Sequence, residues 1–338
     1  MTDLIGTPVA GTTAKPAAPL IEVKDLVKEF TLRRSFRPPA HFRAVNGVSF
    51  SLFKGETFGL VGESGCGKST LGRTVMRLYK PSSGSVRYSS TDITMLSGKA
   101  LAPYRRRMQI VFQDPYASLN PAMPVRDIVA EPLLLKNRLA RSDCDEQVRD
   151  MLLQVGMTPD DMYKYPHEFS GGQHQRISIA RALIVRPEFI LCDEPISALD
   201  VSIQAQVVNL LEDLQQEFGL AYLFVAHDLS MVRHISRRIA VMYMGEIVEI
   251  APAGEIYENP LHPYTRALLQ SIPIPDPRRA RETPPRPLEG ELPDPLQARR
   301  GCPFFTRCPE ARSACQTRRP VLRAAGNGHE TACIVHNE

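Results

Sequence analysis

Short apolar runs recur along the chain and each ends on polar or glycine residues, the pattern of strands buried inside an α/β core. Thr57–Val61 and residues 107–112, 189–192 and 222–226 are such runs, and each predicts a buried strand. Residues 44–54 alternate apolar and polar positions as a strand does. Residues 20–30 hold a short strand that ends in the aromatic Phe30, and residues 238–251 predict a hairpin turning at Gly245. The basic, proline-bearing residues 33–41 predict a surface loop, and residues 81–84 a turn. Residues 71–78, 177–183 and 202–218 predict helices, the last amphipathic. From about 118 to 156 the pattern changes. Leu-rich helical segments at 125–135 and 143–155 follow one another with no strand between them, which predicts a helical insertion in the α/β core.

The stretch between the first continuous strand and its helix carries the strongest chemical signal. Residues 62–70 read GESGCGKST and fit the phosphate-binding pattern G-x-x-x-x-G-K-[ST] in its strand–loop–helix setting. Gly62, Gly65 and Gly67 let the backbone bend tightly, so that N–H groups around Glu63, Ser64, Cys66 and Thr70 can face phosphate oxygens. The helix N-terminus adds positive dipole at the same point. Lys68 is placed to reach the β- and γ-phosphates of a nucleotide, and Ser69 to offer its hydroxyl to Mg²⁺. Cys66, close to N–H groups and to Lys68, is expected to be an accessible thiol with its thiolate favoured.

Further along, Ser170 is a good N-cap for a helix that begins with Gly171 and Gly172. The run 189–192 ends in Asp193 and Glu194, and two acids at the end of a buried strand are costly unless water, metal or substrate meets them. Such strand ends are where α/β sheets bind ligands. The run 222–226 ends in His227. Taken singly, Glu194 would be a cap and His227 a core histidine; in company with the phosphate loop, both fit a phosphoryl-transfer site.

In that order and spacing, residues 20–253 resemble the nucleotide-binding subunit of an ATP-binding cassette transporter. The resemblance implies a P-loop NTPase core with an antiparallel β-subdomain and an inserted α-helical subdomain at about 113–186. It implies that Phe30 stacks on adenine and that Gln113 senses Mg²⁺ and the membrane partner. Ser170, Gly171, Gly172 and Gln173 fit the family signature, and Asp193 the Mg²⁺-holding acid. Glu194 fits the general base, Asp200 the D-loop aspartate and His227 the switch histidine. The signature closes over ATP held by a second ATPase subunit, so a head-to-tail homodimer or heterodimer is expected. Phe169 and His174 depart from the usual residues beside the signature.

The residues beyond the cassette suggest the subfamily. Residues 259–273, NPLHPYTRALLQSIP, the early GESGCGKSTLGR and a cysteine-bearing tail resemble the ATPase subunits of dipeptide/oligopeptide permeases. That resemblance implies import of di- or oligopeptides through a pair of membrane permease subunits, with an extracytoplasmic solute-binding protein acting indirectly. Nickel, glutathione or opines remain open as cargo, and a soluble ABC ATPase acting on DNA or ribosomes is the alternative from another class. The DNA-repair type should insert a long coiled coil and the ribosome type should carry two cassettes; neither feature is visible.

Composition refines this. Net charge is only +4 and its basic runs, such as 105–107 and 278–281, read as solvated faces, so no nucleic-acid partner is inferred. No stretch approaches the ~18 apolar residues of a membrane span, and residues 1–19, rich in Thr, Ala and Pro, read as a flexible leader without secretory-signal character. The expected location is the cytoplasmic face of the inner membrane, held peripherally. Residues 254–338 form a small, irregular extension in which residues 273–295 read as a stiff Pro-rich linker. Cys302, Cys308, Cys315 and Cys333 come after it, with five, six and seventeen residues between neighbours. That spacing is too irregular for common zinc ribbons. Four thiolates suit a [4Fe–4S] cluster, which the permease resemblance also implies; a Cys₄ zinc site and unliganded thiols are the rivals.

Overall fold

A computed structural model describes residues 18–34, 37–137, 144–197, 199–227, 229–272 and 300–336, together with residues 290, 293, 294 and 296. Residues 1–17 of the expected leader at 1–19 and most of the Pro-rich linker lie outside the described residues.

Two sheets carry the fold. The smaller pairs β2 (Arg37–Leu52), β1 (Ile21–Arg34), β4 (Ser83–Tyr88) and β5 (Thr91–Asp92) in the order β2-β1-β4-β5, all antiparallel. Here the surface loop expected at 33–41 is corrected. The two long strands continue to pair as far as Arg34 opposite Arg37. Pro38 and Pro39 are compatible with this because β2 is an edge strand, where a missing N–H leaves no ladder bond unmade. Strands β4 and β5 and the helix Gly98–Arg107 had no clear periodic signal.

The larger sheet begins with β3 (Thr57–Val61), β6 (Met108–Val111), β7 (Phe189–Asp193), β8 (Ala221–Val225) and β9 (Arg238–Tyr243), which lie parallel in the order β9-β3-β8-β7-β6. Every residue of β3, β7 and β8 is buried, which is why they appear as unbroken apolar runs. The sheet then extends antiparallel through β10 (Glu246–Pro252), β12 (His329–Thr331) and β11 (Arg323–Gly326). The C-terminal residues thus add two strands to the cassette's own sheet.

One apolar cluster joins the two sheets through the helix Lys68–Val75. That helix comes so close to β7 that a Cβ on Gly72 would lie 2.7 Å from a Leu191 methyl. A second cluster joins the other face of the sheet to the helical insertion, whose helices Val125–Asn137 and Asp145–Gln154 fall where the periodicity predicts. Because β3, β6, β7 and β8 run parallel, their C-terminal ends share one edge, and the residues just past them meet there.

Candidate nucleotide site

The phosphate loop wraps that edge. Its last glycine, Gly67, has φ +108° and would drive a Cβ to 2.1 Å from the Ala44 carbonyl, so only glycine fits at the entry to the helix. Lys68 is nearly enclosed. Its ammonium donates to the carbonyls of Gly62 and Glu63 at 2.8 and 3.1 Å, which curls the loop around its own lysine. Above the loop lies an open cavity of about 680 Å³. Ser64, Gly65, Cys66, Gly67, Lys68, Ser69, Thr70, Phe30, Gln113 and Glu194 all border it. Phe30 stacks on Phe42 with ring centroids 5.7 Å apart, and the Lys28 ammonium sits 4.9 Å from its centroid.

The side chains beyond the strand ends converge on Glu194. Gln113 donates to Glu194 Oε2 at 3.0 Å, and His227 Nδ1 lies 3.4 Å from the same oxygen. Glu194 adopts a left-handed backbone with φ +50°, uncommon for a non-glycine residue. Its N–H donates to the Val225 carbonyl at 3.0 Å, which ties the end of β7 to β8. Asp193 is fully buried. One of its oxygens, Oδ2, accepts from Arg73 Nε at 3.2 Å, while Oδ1 is buried without a partner. An enclosed, half-satisfied carboxylate fits a divalent cation, which would complete its coordination.

Ser170, Gly171, Gly172, Gln173 and Asp200 do not border this cavity. Gln173 accepts the Ser170 N–H at 3.0 Å, capping the helix Gly171–Leu183. A Cβ on Gly172 would fall 2.6 Å from Ile203, so the signature turn packs against the segment that Asp200 opens. His174 is buried against Tyr116, with ring centroids 4.1 Å apart.

Cys66 overturns the expectation of a reactive thiol. It is 2% exposed, and burial pushes its pKa up more than Lys68 draws it down. The local sequence shows the lysine but not the enclosure.

In the tail, Cys302, Cys308, Cys315 and Cys333 border one small cavity of about 10 Å³. Burial raises Cys302 to about 11 and also pushes Cys308 and Cys333 up. Among the described residues no group of three or more His, Cys, Asp or Glu side chains is spaced to hold a metal ion. The thiols therefore suit a four-thiolate group in number and kind but not in spacing.

Sequence reasoning missed several partners. Arg73 reads along the chain only as the end of a motif. Tyr264 and Arg307 also touch the loop: the Glu63 N–H donates to Tyr264 Oη at 2.9 Å, and Arg307 grips the Glu63 carboxylate at 2.7 and 3.0 Å. Residues that distant along the chain leave no local signal.

Comparison with known proteins agrees with this geometry. Residues 45–197 match the ABC transporter family, and residues 248–315 match the oligopeptide/dipeptide transporter C-terminal region. The oligopeptide transport ATP-binding protein AppF of Bacillus subtilis is 50% identical over 96% of this chain and 100% of its own length. OppF of Salmonella typhimurium, which carries the same description, is 49% identical over 93% of this chain and 96% of its own. Among solved structures, the dimeric ATP-binding cassette MJ0796 in a post-hydrolysis state with ADP and Pi superposes with TM-score 0.61 and 28% identity. It covers 69% of this chain and 98% of that one. CbiO1 of Clostridium perfringens, part of the CbiONQ transporter complex, gives TM-score 0.62 and 26% identity over 72% and 92% of the two chains. No helix among the described residues is long and apolar enough to cross a membrane. The chain belongs to the ATP-binding cassette transporter family, as an ATPase with the C-terminal region of the oligopeptide/dipeptide transporters.

Proposed function

We propose that this ATPase powers import of di- or oligopeptides through a membrane permease. The observation that carries the catalytic part is the convergence of Gln113 and His227 on Glu194 at the rim of the phosphate-loop cavity. Gly62, Gly65, Gly67 and Lys68 cradle the phosphates, and Phe30 meets the adenine. Ser69, Gln113 and Asp193 hold Mg²⁺, which neutralises charge on the phosphates when bound. Glu194 orients and polarises the attacking water, and His227 steadies the site near the γ-phosphate.

Ser170, Gly171, Gly172, Gln173 and Asp200 serve the site of a second ATPase subunit, in a homodimer or heterodimer. They do not line this chain's own cavity, and none is bonded to Glu194 as Gln113 and His227 are, which supports that reading, as does the dimer recorded for MJ0796. The dimer sits beneath a pair of permease subunits at the cytoplasmic face of the membrane, fed by a solute-binding protein. The names of AppF and OppF favour peptide cargo over nickel or glutathione.

For the tail we propose a [4Fe–4S] cluster on Cys302, Cys308, Cys315 and Cys333, with zinc as the alternative; support comes from the four thiols bordering one cavity, and the metal would have to draw them into ligand spacing. Anaerobic purification should give a brown protein with about four irons per chain. One zinc per chain would select the alternative, and a metal-free, colourless protein would reject both.

Glu194→Gln tests the catalytic reading. It should retain ATP binding and lose ~10²–10⁴-fold in turnover. Gel filtration with Mg-ATP, with the cognate subunit present, should show a trapped dimer. Undiminished turnover would remove Glu194 from the mechanism. Co-purification of permease subunits, and peptide uptake lost on deleting this chain, test the transport reading.

A further inference from the structure

The cassette and its extension meet at the second residue of the phosphate loop. Glu63 is held at three points. Its carboxylate takes a two-pronged bond from Arg307, its N–H donates to Tyr264 Oη, and its carbonyl accepts from Lys68. The Arg307 side chain is 4% exposed, whereas that of Glu63 remains 24% exposed. Arg307 ends the short turn Phe305–Arg307, between Cys302 and Cys308. The turn is anchored by Phe304, buried against Tyr243 and Tyr264 at centroid distances of 5.3 and 5.4 Å.

We infer that Arg307 is a positioning residue for nucleotide binding: the extension clasps Glu63 and so sets the phosphate loop. The clasp has two physical effects. A glutamate in a loop that receives polyanionic phosphates repels them, and a paired guanidinium cancels that charge and fixes its direction. The Glu63 carbonyl also holds Lys68, so a loose Glu63 leaves the lysine less well aimed. By linkage, nucleotide bound at the loop must stabilise the docked turn to the same degree. The inference rests on reading residues 62–70 as the phosphate cradle, but not on the peptide cargo or on any metal in the tail.

The test is calorimetric titration of the full chain with Mg-ADP, with hydrogen exchange as a second readout. Lys68→Ala checks the cradle itself, and unchanged affinity there would remove the underlying reading. With that established, Arg307→Ala should weaken Mg-ADP about tenfold, within the usual range for coupled sites. Arg307→Lys, which keeps charge but not the fork, should fall between. In a Glu63→Ala background, Arg307→Ala should cost almost nothing further, because the charge it neutralises is gone. Exchange at amides 63–68 should quicken in Arg307→Ala while amides 330–331 of β12 stay protected, and Mg-ADP should slow exchange at 304–308 in the unaltered chain. Wild-type affinity in Arg307→Ala overturns the inference, as does an equal loss with and without Glu63. If Arg307→Ala also exposes β12, Arg307→Lys decides: wild-type affinity with β12 protected rejects the clasp.

Discussion

Asp193 and Glu249 are both carboxylates shut away from water, one at the end of a parallel strand and one within the antiparallel extension of the same sheet. Asp193 spends one oxygen on Arg73 and leaves Oδ1 without a partner. Glu249 uses both oxygens: Oε1 accepts the Leu261 N–H at 2.7 Å and lies 2.6 Å from His329 Nε2, and Oε2 accepts the His262 N–H at 3.0 Å. Burial pushes Glu249 up, yet these bonds outweigh it and hold its pKa below the ordinary value. A buried carboxylate oxygen without a partner is costly. It persists where a ligand supplies the missing interaction, which supports the cation-holding role proposed for Asp193. Glu249 leaves a ligand nothing to do; it stitches the segments at 261–262 and 329 onto β10.

The sharpest way to break this comparison is to neutralise each acid. Asp193→Asn should lower Mg-dependent ATP turnover ~10²–10³-fold, the usual size for losing a group aimed at reacting charge. Its melting temperature should stay near that of the parent, because a neutral amide is cheaper to bury than a carboxylate. A variant that melts much lower while still turning over would give Asp193 a structural role instead. Glu249→Gln should do the reverse. It removes one acceptor oxygen and the charge facing His329, at a cost of about 1–3 kcal/mol. A lower melting temperature and faster exchange in β12 should accompany it. If Glu249→Gln is as stable as the parent and loses nucleotide instead, the contrast between the two acids fails.

The same contrast explains what the sequence disclosed. Strands β3, β7 and β8 are covered on both faces, so each must be apolar throughout and is legible as a run. Asp193 ends β7, Glu194 follows it and His227 lies just past β8, while Gln113 lies just past the partly buried β6, which is why the ends of the apolar runs point to these residues. Strand β11 is exposed along its whole length, and β12 has only three residues. Their order comes from β12 pairing with β10, from β11 pairing with β12 and from His329 meeting Glu249, and none of these leaves a periodic pattern. Likewise Arg307 meets Glu63 across 244 positions, through a turn that has no motif of its own.

A smaller effect separates the two regions by pH. Burial pushes the His262 imidazole down to about 4. Its pKa is thus lower folded than unfolded, so the folded state favours the neutral ring. The stability it contributes is fully present above its unfolded value of about 6.5 and is lost as pH falls toward 4, by about 1 kcal/mol per pH unit. Glu249, whose pKa is also depressed, adds its own loss only below the ordinary carboxylate value. Protection factors in β12, taken against the intrinsic exchange rate at each pH, should therefore fall from pH 6.5 downward while those of β3 and β7 hold. His262→Asn, which keeps an acceptor for the Tyr264 N–H, should flatten that slope. An unchanged slope in His262→Asn would assign the acid sensitivity to other groups.

The smallest expected effect concerns Cys66, which lies in the catalytic region yet behaves as a core residue. Its sulfur is 4.0 Å from the Lys68 ammonium, an arrangement that by charge alone would favour thiolate. Burial opposes this and prevails, and enclosure also keeps a bulky reagent from the sulfur. A short maleimide treatment of the native chain, analysed by peptide mass spectrometry, should leave Cys66 unmodified, whereas the unfolded chain should label fully. Mg-ATP should make no difference to the native result. Cys66→Ser should change the rate of ATPase inactivation by maleimide little, because the thiol was never accessible. Stoichiometric labelling of native Cys66 that Mg-ATP prevents would mean that the loop opens far enough to expose it, and that the enclosure of Lys68 by its own loop is a closed state only.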